Sequence, residues 1–233
     1  MNIIVTGASR GIGYELVKLF ASDPKNKVVA VSRNRSKLEQ LKRECKNANV
    51  YPAIVDFSDK EFKKDITLQV LSRISTVDIL VNNAGALINK PMEELTASDV
   101  EKVYRVNVIS QFEFLQALLP YMGKGQLPTH IVNISSMGGL HGSSKFSGLS
   151  AYSSSKAALA TLSECLAEEF KDRNISVNCL MLGAVQTEMF EEAFPGERTE
   201  MTPLLMAAYI RDFALTGANF FNGKIIPVSK STP

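Results

Sequence analysis

The sequence has no tryptophan, two histidines and three cysteines, and each shortage removes a class of chemistry. With His130 and His141 as the only imidazoles, a multi-histidine metal centre is not expected, so no metal is assigned. Cys45, Cys165 and Cys179 are odd in number and widely spaced, without a Cys-x-x-Cys pair, which argues against a disulfide framework or a thiol redox motif. No apolar run approaches the roughly 18 residues of a membrane-spanning helix, and no basic-then-apolar leader precedes the first apolar run. A soluble cytoplasmic protein is the expectation. A dominant charge is also lacking. The 26 basic and 24 acidic residues are interspersed, leaving +2 and no block to grip nucleic acid or an anionic membrane.

What is present is apolar material: 45% of 233 residues, enough to bury a full core in a single domain spanning residues 1–233. Asn2 to Thr6 is a β-branched run that stops at Gly7-Ala8-Ser9-Arg10-Gly11-Ile12-Gly13, after which Tyr14, Leu16, Val17, Leu19 and Phe20 follow helical spacing. Strand, glycine turn and helix in that order make an anion site. The glycines let the backbone approach a pyrophosphate, and the helix start directs free N–H groups and a positive dipole end at it.

The second strand, Lys27 to Ser32, ends in Ser32-Arg33 instead of a carboxylate. An acid at this point hydrogen-bonds an adenosine ribose, whereas an arginine accommodates an added phosphate. Arg33 and Arg10 are therefore candidates for that phosphate, two solvated arginines being the plain alternative. Asp56, after a third strand over Val50 to Val55, stands where it could meet the adenine, or serves as an ordinary turn residue.

Ser36-Lys-Leu-Glu39, Ser58-Asp-Lys-Glu61 and Thr96-Ala-Ser-Asp99 have the pattern of capping boxes, the first opening a helix through about Lys46. Asp78-Ile-Leu-Val-Asn82-Asn83-Ala84-Gly85 reads as a fourth strand with two amides able to cross-link neighbouring strand ends. The helical pattern from Thr96 to about Met122 carries Asn107 in its middle, a poor helix former that predicts local hydrogen bonding or a kink. Ser176 to Leu180 is a sixth strand leading to Leu182-Gly183-Ala-Val-Gln-Thr187. Residues 188–203 then read as a loop whose Met189, Phe190 and Phe194 can cover a pocket. Leu204 to Leu215 looks helical, and Pro227 in the run Lys224 to Val228 predicts an edge strand. Alternating strands and helices predict a parallel sheet covered on both faces.

The chemistry concentrates between Ile131 and Leu159. Ile131 to Ser136 (IVNISS) is a buried strand ending in hydroxyls, and Ser136 could polarise a substrate oxygen. Tyr152 and Lys156 sit one helical turn apart, so the ammonium can draw the phenol toward a pKa suited to general acid work. Such a pair also arises by chance in helices.

Taken in order, Thr6-Gly-Ala-Ser-Arg-Gly-Ile-Gly13, Asp56, Asn82-Asn83-Ala84-Gly85, Asn107, Ser136, Tyr152 and Lys156 resemble the short-chain dehydrogenase/reductase family over almost the whole chain. The resemblance implies a single Rossmann-type doubly wound α/β domain with a seven-stranded parallel sheet in the order 3-2-1-4-5-6-7 and helices on both faces. It also implies a catalytic tetrad of Asn107, Ser136, Tyr152 and Lys156, with Ser136 chosen over Ser135 on the family pattern. Implied cofactor contacts are Gly7, Ser9, Arg10, Gly11, Ile12, Gly13, Arg33, Asp56, Asn83, Ala84, Gly85, Tyr152, Lys156, Gly183 and Thr187. Met137, His141, Phe146, Met189 and Phe190 are the expected substrate pocket.

The expected activity is NADPH-linked reduction of a small-molecule carbonyl. Reduction of a 3-oxoacyl carrier-protein thioester is the alternative, with Lys124, Lys171 and Arg173 as docking candidates. A regulator that binds NADPH without turnover is a further alternative from another class. Self-association through helices 96–122 and 151–171 is implied as well. The chain departs from the family in having Leu182 before Gly183, where proline is common. It also has a longer interval, sixteen residues, between Ser136 and Tyr152, which predicts a mouth loop over HGSSKFSG.

Overall fold

The computed structural model describes residues 1–46 and 49–230. Seven parallel strands form one sheet in the order β3-β2-β1-β4-β5-β6-β7, as expected. They are β1 Asn2–Thr6, β2 Lys27–Ser32, β3 Val50–Ile54, β4 Ile79–Asn82, β5 Thr129–Ser136, β6 Ile175–Leu182 and β7 Ile225–Val228. The helices are α1 Gly11–Ala21, α2 Arg35–Glu44, α3 Lys63–Asp65, α4 Ala97–Tyr104, α5 Ser110–Leu118, α6 Ser150–Glu169, α7 Glu188–Ala193 and α8 Pro203–Thr216. The inner strands carry apolar residues at consecutive positions because both of their faces are covered. Ile3 and Val5 of β1, with Val28 and Ala30 of β2, pack against Leu16, Val17, Phe20 and Ile210 of α1 and α8. Ile4, Val29 and Val31, from the same strands, face Phe114 and Leu118 of α5, Leu166 of α6 and Phe170 just after it. Side-chain alternation along a strand thus feeds two cores.

Pro227 lies on edge strand β7, where its missing N–H disrupts no further pairing, and Pro52 occupies the opposite edge, β3. Several local expectations give way to competing hydrogen bonds. Asn34, not Ser36, caps α2 by accepting from Lys37 N at 3.1 Å, and the helix ends at Glu44. No capping box forms at Ser58, because Asp56 Oδ1 takes both the Ser58 N–H and its hydroxyl. The Thr96 box does form, with Asp99 returning to the Thr96 N–H. Helix 96–122 is divided: α4 passes into a π-helical turn, Arg105–Ile109, before α5 and a 3-10 turn, Leu119–Tyr121. Strands β5 and β6 are longer than expected, and residues 188–203 are not all loop, since Thr187 caps α7.

The far end of the sheet is fastened by a histidine. Lys224 N donates to Asn178 Oδ1, which fixes the amide so that Nδ2 points at His130 Nε2, 3.0 Å away. Nε2 therefore accepts, and the Nδ1 proton is donated to Ala214 O at 2.9 Å. Protonating Nε2 would set donor against donor, and burial already holds the imidazole pKa below its ordinary value. The unfolded chain takes up the proton first. This contribution is complete above about pH 6.5 and is lost as pH falls toward the lower folded value. We expect the melting temperature to drop between about pH 6.5 and 5, with a shallower drop in His130→Gln. Parallel pH profiles of the two proteins would contradict it.

Candidate active site

Three strand ends and two loops converge at the carboxyl edge of the sheet. After β1 the glycine turn places Gly7 and Gly11 at φ +68 and +56, a backbone region that L side chains rarely adopt. A Cβ on Gly13 would lie 2.4 Å from Gly7 O and 2.6 Å from Asn83 Nδ2, so only glycine permits this close approach. No side chain caps α1, which leaves its first N–H groups available to an anion. Ser9, Arg10, Gly11 and Thr187 share the lining of a cavity of about 480 Å³ beside the turn. The cradle fits the pyrophosphate of a dinucleotide.

After β4, Asn82 Nδ2 donates to Asn133 Oδ1 of β5 at 2.8 Å, the expected cross-link between strands. Asn83 Nδ2 donates to Thr6 O at 3.0 Å, while Asn83 N and Ala84 N both donate to Thr6 Oγ1. A Cβ built on Gly85 would lie 3.4 Å from both Asn107 Oδ1 and Lys156 Nζ, so these two groups approach the same point. Asn107 is fully buried in the π-helical turn. Its Oδ1 accepts from Ala86 N at 2.7 Å, and its Nδ2 donates to Ala86 O and to Ser155 Oγ, each at 2.9 Å. The widened turn and the amide's local bonds account for an asparagine in mid-helix.

Ser155 is a residue the sequence reading passed over. It bridges the two elements, since its own hydroxyl donates to Tyr152 O at 2.7 Å. The signal was present in the three serines between Tyr152 and Lys156, of which the third falls on the inner face of α6.

Tyr152 and Lys156 occupy the first turns of α6 as expected. Burial raises the phenol pKa, and a hydrogen bond with Ser136 offsets part of that rise. Burial lowers the Lys156 pKa to about 8. Its Nζ donates to Ile134 O at 2.9 Å and lies 5.8 Å from the Tyr152 ring centre. The expected downward pull of the lysine on the phenol is therefore not what dominates: desolvation does, and it leaves Tyr152 protonated at neutral pH. Ser135, the rejected neighbour, is buried and donates to Lys156 O at 2.7 Å.

Thr187 caps α7 and touches the glycine turn, its Cγ2 lying 3.2 Å from a Cβ built on Gly11. Gly183 packs on Ser229, which a Cβ would strike at 2.6 Å. Helix α7 spans the mouth. Phe194 at its end meets Phe190 at 5.3 Å and Phe146 of the mouth loop at 6.2 Å, and Asn89 Nδ2 donates to Ala193 O at 2.8 Å. Met189 is half-buried on the same helix, and His141 is exposed on the mouth loop. Met137 departs from its expected place, since it is 5% exposed and packs into the core with Ala160, Cys179 and Met181. Asp56 Oδ1 accepts from Ser58 N and Ser58 Oγ, and Arg33 stands exposed after β2.

A short chain dehydrogenase family model matches residues 1–198. The chain belongs to the short-chain dehydrogenase/reductase family. Among its relatives, carbonyl reductase [NADPH] 2 of Sus scrofa is 35% identical over 190 residues, covering 81% of this chain and 73% of that protein. The 3-oxoacyl-[acyl-carrier-protein] reductase FabG of Thermotoga maritima is 31% identical over 191 residues, covering 81% and 76%. The crystal structure of a 3-ketoacyl-(acyl-carrier-protein) reductase from Brucella melitensis, complexed with NADH, superposes with a TM-score of 0.84 at 26% identity, covering 97% and 96% of the two chains. As a short-chain dehydrogenase/reductase the chain is an oxidoreductase, and the family's nicotinamide cofactor suits the glycine cradle. Among the described residues, no helix is long and apolar enough to cross a membrane, and no group of three or more His, Cys, Asp and Glu side chains could hold a metal.

The two serines are held differently: Ser136 Oγ accepts from Gly138 N at 3.2 Å, whereas Ser135 Oγ donates to Lys156 O. Ser136→Ala gives up the bond from Gly138 N as well as the hydroxyl at the site, and should lower the rate far more than it lowers stability. Ser135→Ala removes a buried hydrogen bond and should cost about 1 kcal/mol in urea unfolding. The reverse pattern would assign the rate effect to the Ser135 hydroxyl instead.

Proposed function

We propose that the chain works as one domain reducing a small-molecule ketone or aldehyde with NADPH. The observation that carries this reading is the constellation of half-buried Ser136 and Tyr152 with buried Lys156 beside the glycine cradle. A bound nicotinamide dinucleotide supplies the hydride to the carbonyl carbon. Ser136 holds the carbonyl oxygen, and Tyr152, a protonated phenol at neutral pH, gives that oxygen its proton. The Lys156 ammonium, one turn away, favours the phenolate that remains and positions the nicotinamide ribose. The π-helical turn that Asn107 anchors fixes the wall beside Lys156. Arg33 and Arg10 are the cations for the adenosine phosphate, and the NADPH in the name of the Sus scrofa relative supports that coenzyme.

The Thermotoga maritima relative favours the carrier-protein reading. The surface beside the site does not. Glu188, Glu191, Glu192, Glu197 and Glu200 are exposed on and after α7, opposed there by Arg198. Lys171 and Arg173 lie beyond the far end of α6, more than about 25 Å along the helix from Tyr152, and Lys124 follows Gly123, which packs on Arg173 at that same end. Lys171 is paired with Glu168, and Arg173 stacks on Phe170. The α7 side of the rim is acidic, with Lys145 the one lysine or arginine of the mouth loop, and that side suits a free, uncharged ketone better than a partner that needs a basic dock.

Tyr152→Phe should lower turnover of a free diketone by about 100-fold to 10,000-fold while NADPH affinity stays near wild type. Near-wild-type turnover in that variant would sink the mechanism, and faster reduction of a carrier-bound ketone by the wild type would favour the second reading.

Self-association through helices 96–122 and 151–171 is supported by Ile109 and Phe112, 44% and 45% exposed. Leu115 and Ala160 face inward instead. Closure by a two-fold axis would cover the exposed pair. Light scattering at micromolar concentration should give a mass above 25.5 kDa, and a value near that mass would refute the dimer.

A further inference from the structure

The two arginines assigned to the adenosine phosphate are not in equivalent states. Arg33 is exposed and pairs with no carboxylate among the described residues. Arg10 is already engaged: both terminal nitrogens bond the Glu192 carboxylate, with Nη2 and Oε2 3.1 Å apart. Glu188 adds negative potential at the same guanidinium. Glu192 lies on the face of α7 that meets the glycine turn, whereas Phe190 and Phe194 run toward the mouth loop. The helix is thus tied to the cofactor side by a carboxylate and to the substrate side by aromatic rings.

We propose that Glu192 sets coenzyme selectivity by competing with the 2′-phosphate of the dinucleotide for Arg10. A coenzyme carrying that phosphate must either displace Glu192 from the terminal edge or use the Nε edge of a guanidinium whose charge the carboxylate already offsets, and both weaken its hold. A coenzyme with a free 2′-hydroxyl leaves the pair intact. Glu192 therefore holds down the affinity for the phosphorylated dinucleotide alone. Displacement also frees α7 from the glycine turn while Asn89 and Phe146 keep hold of its other side. The proposal rests on the NADPH reading above.

Calorimetric titration of 2′,5′-ADP, 5′-ADP, NADPH and NADH into the full-length protein tests it. Glu192 has 63% of its side chain exposed, so Glu192→Ala and Glu192→Gln should fold normally. Removing an exposed ion-pair partner should tighten 2′,5′-ADP and NADPH roughly two- to fivefold, with 5′-ADP and NADH unchanged. The gain should vanish when Arg10→Gln is added, since the effect acts through that guanidinium. An unchanged NADPH to NADH affinity ratio, or equal tightening of both, would overturn the competition while leaving the coenzyme reading intact. A wild type that binds 2′,5′-ADP no better than 5′-ADP would reject the coenzyme reading itself, and the competition with it.

Discussion

A lysine ammonium buried behind the sheet edge is the constraint on which the site depends. Lys156 is 4% exposed, and taking its charge out of water is costly enough to bring its pKa down to about 8. The compensation within the structure is a carbonyl, Ile134 O at the end of β5. Several neighbouring choices follow from keeping that ammonium in place. Gly85 leaves room for it next to Asn107, Ser135 ties the lysine's own carbonyl to β5, and Gly139 lies so close that a Cβ would meet Ala157 N at 2.6 Å. Cys179 behind it stays a thiol, burial raising its pKa to about 11.

The same edge explains why the chemistry can be assembled at all. In a doubly wound sheet the strands end together at one edge, so a glycine turn after β1, amides after β4 and hydroxyls after β5 become neighbours though far apart in sequence. Thr6 is the pin between the first two, through its hydroxyl to Asn83 N and Ala84 N. Ser155 is the pin between α6 and the π-helical turn. Helix α7 then bridges the cofactor cradle and the mouth loop, so changes on one side of the site can be felt on the other.

Much of this was legible because local and long-range signals agree. Apolar runs located every strand, Pro227 marked an edge, and Asn107 announced a break in its helix. What stayed hidden depended on which of several acceptors wins a donor. Asp56 takes the Ser58 hydroxyl and abolishes a cap, while Asn34 displaces Ser36 at α2. Whether Met137 faces the mouth or the core turns on a 3-10 turn, Met137–Gly139, that periodicity does not foretell. The Arg10 and Glu192 pair joins residues 182 positions apart, and no local pattern encodes it. The direction of the phenol's pKa shift was misjudged for a physical reason: proximity of Lys156 was weighed, and desolvation of Tyr152 was not.

Titration of Lys156 itself tests the account most directly. With lysines labelled at Cε and the signal assigned through Lys156→Met, NMR should show one lysine titrating near pH 8, well below the ordinary value of about 10.4. A Lys156 resonance that titrates with the surface lysines would mean the ammonium is solvated, and would contradict a site built around a buried charge.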